Sequence, residues 1–238
     1  QPQNGNLLAD LLSLRVDGIG SDGAHAKDMR WLSPGSRGAP PEARNGHSLT
    51  WVREARSLYV FGGADLDGLL SDLHELRLEG DEWAWAQPRC VGDSPKAREM
   101  HVAAALPHMR LLVHGGRAGE LGEVCANELA VLDLQTYTWS CSTTACARVG
   151  HAVAPISSAS GEPALLFFGG IKESHFTNDT WRAAALEEPM PRFERVRTAH
   201  DPPKRFAHCA ASLGKLAFVF GGSSKEGELD DLLVATMA

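Results

Sequence analysis

Four Gly-Gly pairs punctuate the chain at nearly constant spacing: Gly62-Gly63, Gly115-Gly116, Gly169-Gly170 and Gly221-Gly222, at intervals of 53, 54 and 52 residues. Each pair closes an apolar run: LYVF, LLVH, ALLFF and LAFVF. A period near fifty with this punctuation marks a repeat of small β-sheets, the signature of a β-propeller. The backbone explains the glycines. A chain that turns sharply where a neighbouring backbone lies close needs positive φ and no Cβ.

Three further signals keep phase with the pairs. Upstream stands Arg-x-x-His: Arg44 to His47, Arg98 to His101, Arg148 to His151 and Arg205 to His208. Downstream, an acidic or amide residue opens an apolar strand at Asp72, Asn127-Glu128, Asn178-Asp179 and Asp230-Asp231. An aromatic follows at Trp85, Trp139 and Phe193. Each unit reads as four antiparallel strands, a to d. Strand a follows the histidine and carries mostly small side chains, as the crowded axis requires. Strand b is the apolar run, without polar alternation, as for a strand buried on both faces. Strand d carries the aromatic that covers the joint between blades.

Together these residues resemble the kelch repeat, over nearly the whole chain. The resemblance implies an all-β, kelch-type propeller with one four-stranded blade per repeat. Residues 1–36 fit half a blade, with strand c at 9–14 and strand d at 29–32. Residues 44–88, 98–142 and 148–196 fit complete blades, and 205–237 fit strands a, b and c. The total is about four and a half to five blades, where such propellers usually have six or seven. The two ends could join into one blade of a four-bladed ring, or the units could remain separate. The preferred expectation is part of a larger propeller. Some positions depart from the pattern. His114 replaces the phenylalanine of Phe61, Phe168 and Phe220, and Trp51 is bulky where other a strands are small.

Composition narrows the function. The net charge of −7 argues against a nucleic-acid binder, which shows a basic stripe, and against docking on an anionic membrane. No apolar stretch approaches the ~20 residues that span a bilayer. The five cysteines are odd in number and irregular in spacing, so they read as free thiols of a reducing compartment. The expected location is intracellular and cytoplasmic, with a cytoskeletal association open.

Two readings stand for Arg44, Arg98, Arg148 and Arg205. As a ring at the channel mouth, their guanidinium groups would hold carboxylates bidentately. The resemblance supports this, because some kelch-type ubiquitin-ligase adaptors use arginines there. Alternatively, each arginine bonds backbone carbonyls or the acidic residue opening strand c. The b–c loops add the candidate contact residues Asp65, Asp67, Arg117, Glu120, Lys172, His175 and Lys225, since loops on a rigid scaffold carry recognition. The repeated histidines read as hydrogen-bonding groups between strands. No cofactor or metal is expected. The function expected is a non-catalytic module presenting this face to a protein or peptide, one with acidic or C-terminal carboxylate groups being a candidate. It would act as an adaptor or as a subunit of a larger complex. The alternative is an enzyme on the same fold, of the metal oxidase, mutarotase or specifier type. A galactose-oxidase-like site needs two tyrosines near the axis, whereas Tyr59 falls in strand b and Tyr137 in an outer strand.

Overall fold

The computed structural model describes residues 7–17, 28–119, 127–158 and 161–236, and their regular structure is entirely β. In the first blade, strands a to d are Ser48–Val52, Ser57–Ala64, Leu69–Glu79 and Glu82–Ala86. The second has Val102–Leu106, Arg110–His114, Glu128–Asp133 and Thr138–Thr143. The third has Ala152–Ser157, Pro163–Phe168, Thr180–Ala184 and Arg192–Val196. The fourth shows three strands, Cys209–Leu213, Leu216–Phe220 and Leu232–Thr236. Within each sheet the order is a-b-c-d. Short segments Ser36–Arg37 and Val91–Gly92 add in parallel outside strand d of the first and second blades. The four blades form a propeller array.

The strand period of two explains why strand b is apolar throughout. Successive side chains point to opposite faces, and both faces of an inner blade meet another blade. In the second blade, Leu111 and Val113 pack with Tyr59, Phe61 and Leu73 of the first. Leu112 turns the other way and packs with Leu165 and Phe167 of the third. Trp139 is buried in the first joint, and Phe193 packs against the second. A third, smaller joint sets Ile156 and Leu166 against Ala217 of the fourth blade. Each such side chain contributes about 1.5–3 kcal/mol when fully buried, so the joints hold the array together.

Gly115 shows what the glycine pair does. Its φ is +67°, and a Cβ there would lie 2.4 Å from the Arg148 carbonyl oxygen of the next blade. The first blade differs from the sequence reading of its loop. Strand b runs through Gly62-Gly63 to Ala64, with a shift of register between Phe61 and Gly63. Strand c begins at Leu69, which leaves a tight turn at 65–68.

Ser13–Asp17 pairs with Asp28–Leu32 as a separate two-stranded sheet. Its first strand lies further along the chain than the expected 9–14. The alternation Ser-Leu-Arg-Val-Asp sets Leu14 opposite Trp31 and Arg15 opposite Arg30, a register the continuous run Leu11-Leu12 does not offer. Among the described residues this sheet pairs with no strand of the fourth blade.

Candidate recognition face

The four repeat arginines lie beneath the surface, and Arg98, Arg148 and Arg205 are fully buried. Each donates through Nη1 to the carbonyl of the first glycine of its own blade's pair: Gly62 at 3.1 Å, Gly115 at 2.9 Å, Gly169 at 2.9 Å and Gly221 at 3.0 Å. Each also pairs with an acidic residue in or beside the first, turn-proximal part of strand c. Arg44 grips Asp72 at 2.7 and 3.0 Å, and Arg205 grips Asp231 at 2.6 and 2.7 Å. Arg98 pairs with Glu128. Arg148 holds Asp179 through Nη1 at 2.8 Å, and its Nε and Nη2 have no partner among the described residues. In the other three blades, Nε donates to the carbonyl two residues back, at Glu42, Lys96 and Pro203. The arginine thus clamps the segment before strand a to the start of strand c, across the base of the b–c loop.

The clamps tune their carboxylates. Burial works against the charge of Asp72, but hydrogen bonds from His74 and Arg44 outweigh it and hold the carboxyl well below the usual range. Burial opposes ionisation of Asp179 too, and the Arg148 charge and the Trp181 hydrogen bond overcome it. A hydrogen bond from Arg205 lowers Asp231. The guanidinium groups of Arg44, Arg98 and Arg205 are thus engaged at Nε, Nη1 and Nη2 within their own blades, whereas Arg148 is engaged through Nη1.

The rest of Arg-x-x-His ties blade to blade. His101 Nε2 lies 2.9 Å from Ser48 Oγ of the preceding blade. His151 Nε2 lies 3.1 Å from His114 Nδ1, and the His114 ring stacks on Phe193. Burial drives the pKa of His101 and His114 down to about 3 and that of His208 to about 4, with the nearby arginines adding to it. The third residue of the motif has positive φ in every blade: Gly46, Met100, Gly150 and Ala207. Their backbones form a chain of hydrogen bonds around the array. Met100 N–H donates to Gly46 O at 2.8 Å, Gly150 N–H to Met100 O at 2.9 Å, and Ala207 N–H to Gly150 O at 2.7 Å.

The b–c loops dock on the same segments. Asn45 bridges to Ala64, Arg98–Glu99 pairs with Arg117–Ala118, Val149 bridges to Ile171, and Phe206 to Ser223. Asp67, Arg117, His175 and Lys225 are exposed there, with Asp65 and Lys172 half-buried. Asp65 Oδ1 accepts from the N–H groups of Asp67 and Gly68 and so shapes its own turn. Arg117 pairs with Glu99. His175 Nδ1 lies 2.7 Å from the Glu173 carbonyl. Glu120 lies outside the described residues.

Sequence reading missed one cluster. Glu75, buried in the first blade, accepts from Ser57 Oγ at 2.7 Å, Tyr59 at 3.0 Å and Arg77 at 3.0 Å. Tyr137 of the second blade donates to it at 3.0 Å. Both tyrosines of the chain are thus spent on one carboxylate across a joint. Arg110 makes a similar tie at the next joint, donating to the carbonyls of Leu186 and Glu188. Among the described residues, no group of three or more His, Cys, Asp or Glu side chains is placed to hold a metal ion.

The family described as the KLHDC2/KLHL20/DRC7 Kelch-repeats domain matches residues 2–146, more than half of the chain. The chain belongs to the kelch-repeat family. Its relatives include acyl-CoA-binding domain-containing protein 5 of Arabidopsis thaliana, 38% identical over 60% of this chain and 21% of the relative. Kelch domain-containing protein 3 of Homo sapiens is 29% identical over 84% of this chain and 53% of its own length. Adagio-like protein 3 of Oryza sativa subsp. japonica is 32% identical over 78% and 30%. The chain therefore spans between about a fifth and about half of the length of these relatives.

Proposed function

We propose that this kelch propeller works by binding rather than catalysis, presenting its b–c loop face to a protein or peptide. One observation carries the reading. Every b–c loop stands on a buried arginine–carboxylate clamp, so a set of exposed side chains is held on a rigid base. Such preorganisation lowers the entropy lost on binding. In this reading the arginines position the loops and the loop side chains make the contacts. Lys172 and His175, paired across the third-blade loop, and Lys225 on the fourth-blade loop suit an acidic segment or a C-terminal carboxylate. Asp65 and Asp67 set the opposite charge on the first blade and orient the partner. The convergence of Tyr59 and Tyr137 on Glu75, away from the loop face, supports the non-catalytic reading.

The test offers the immobilised chain a library of peptides with free or amidated C-termini and varied acidic content. Retained peptides are expected to carry free carboxylates. The double variant Lys172→Glu/Lys225→Glu should weaken retention at least tenfold while leaving the melting temperature unchanged. Equal retention by the variant would remove these lysines from the contact.

A further inference from the structure

The outer edges of the first three blades are not alike. On the second blade, Val91–Gly92 lies outside strand d. The N–H groups of Val91 and Asp93 donate to the carbonyls of Tyr137 and Trp139 at 2.9 and 3.1 Å. On the first blade, Ser36–Arg37 pairs with Trp83 and Ala84 in the same parallel sense. A glycine faces the strand-d aromatic in both. A Cβ on Gly92 would lie 2.4 Å from the Trp139 carbonyl oxygen, and one on Gly38 would lie 2.2 Å from that of Trp85. Charges at the c–d turn of the first blade hold its cover, where Arg37 meets Glu79 at 2.9 Å and Glu82 at 3.2 Å.

The third blade has the same edge and, among the described residues, no cover. Its sheet ends at strand d. The registers correspond, with Trp139 opposite Leu132 and Phe193 opposite Ala183. The carbonyls of Pro191 and Phe193 and the N–H of Phe193 therefore turn outward, as those of Tyr137 and Trp139 do. The sequence explains the difference. The covering glycine stands six residues before the clamp arginine in the first two blades, Gly38 before Arg44 and Gly92 before Arg98. Six residues before Arg148 is Ser142, which is already held in the second blade opposite Leu129. Only residues 144–147 separate that strand from Arg148. A segment of that length reaches at most about 14 Å. The run from strand a to a place outside strand d crosses about 19 Å of strand spacings. The linker before the third blade is too short to cover its edge.

We propose that the outer edge of the third blade binds an extended segment of a partner protein, added in parallel beside Arg192 and Phe193. The two covered blades define the chemistry of that segment. Its N–H groups bond the carbonyls of Pro191 and Phe193, as in strand addition to a sheet edge. It carries glycine opposite Phe193, because a Cβ there would strike the Phe193 carbonyl. The residue after the glycine is acidic. On the second blade that residue is Asp93, whose carbonyl lies 2.9 Å from Cys141 Sγ. The third blade sets the exposed Arg195 in the place of Cys141, a cation suited to an acid at that position. The residue two before the glycine is apolar, since Cys90 at that place packs against the first joint. The site is built from strand d and not from the b–c loops, so this inference is independent of what the loop face binds.

The probe is a peptide that copies residues 87–97 of this chain with Cys90→Val, followed by amide hydrogen exchange of the whole chain. At about 1 mM it should slow exchange of the Phe193 amide at least tenfold. Exchange at Trp139, already paired within the chain, should not change. Gly92→Ala in the peptide should abolish the protection, and because only the peptide is altered, folding does not enter. Arg195→Glu in the chain should weaken binding several-fold, and Asp93→Lys in the peptide should restore it. A Phe193 amide that the peptide leaves unprotected would overturn the proposal. So would equal binding of the alanine peptide, or protection confined to the b–c loops. Protection at Phe193 that grows with chain concentration in the absence of peptide would also overturn it, by assigning the edge to a second copy.

Discussion

Arg98 and Arg117 carry the same charge within one blade, yet their removal should read very differently. Arg98 is fully buried with its donors engaged, and Arg117 pairs with Glu99 while half exposed. Arg98→Ala removes the buried cation that Glu128 pairs with and the donor to the Gly115 carbonyl, a loss of about 3–5 kcal/mol. Arg117→Ala removes a half-exposed cation and leaves the buried Glu99 carboxylate without it, a smaller loss of about 1–3 kcal/mol. Urea midpoints of the two variants compare them directly. The clamps also carry a pH signature. The folded-state pKa of Asp72 is depressed, so its contribution is complete above the unfolded value, near 4, and fades as pH falls toward the folded one. Asp72→Asn should flatten the stability profile below about pH 4, as measured by thermal melts across acid buffers. Much of this was legible. Phasing Arg-x-x-His against the opener of strand c already put Asp72, Glu128, Asp179 and Asp231 within reach of the four arginines as one of two readings. Glu75 was not legible, because its partners Tyr59 and Tyr137 come from different blades and recur in no other repeat. Arg110 was hidden for another reason: its acceptors are backbone carbonyls, which leave no mark in sequence.

Blade registration depends on the glycine pair more than on any single side chain. Gly115 and Gly80 share nearly the same φ, +67° and +64°, but only Gly115 faces a neighbouring blade, and Gly80 has open space around its missing Cβ. Alanine at either site meets the left-handed penalty of about 1–2 kcal/mol. Gly115→Ala adds a clash with the Arg148 carbonyl, so it should cost at least about 2 kcal/mol more than Gly80→Ala. Calorimetry on the pair isolates the contact between blades, and equal losses would show that only the local turn matters. The repeat of Gly-Gly predicted where each b strand stops in three blades. It misjudged the first, where the sheet continues through the bulge to Ala64, because a bulge and a chain break demand the same residue.

Across the whole array, the buried histidines set the response to acid. His101 and His114 titrate near 3 and His208 near 4 when folded, against about 6.5 unfolded. Between these values the unfolded chain binds more protons, so stability is complete above about pH 6.5 and falls as the medium acidifies. Each histidine contributes a slope of about 1.4 kcal/mol per pH unit in that window. His114→Phe restores the residue found at Phe61, Phe168 and Phe220, and should reduce the slope between pH 6 and 4 by about one proton. The plot of urea midpoint against pH would show it, and an unchanged slope would mean that His151 already carries the proton for both. The clamps point to a different property of the molecule. Each clamp arginine closes onto its own blade, while the joints are made by strand faces, histidines, the Glu75 and Arg110 ties and the backbone chain. The segment between clamp and glycine pair can therefore be rewritten like interchangeable type in a fixed frame. Doubling the length of one such loop should cost only about 0.6 kcal/mol, which makes this scaffold a ready host for grafted specificity.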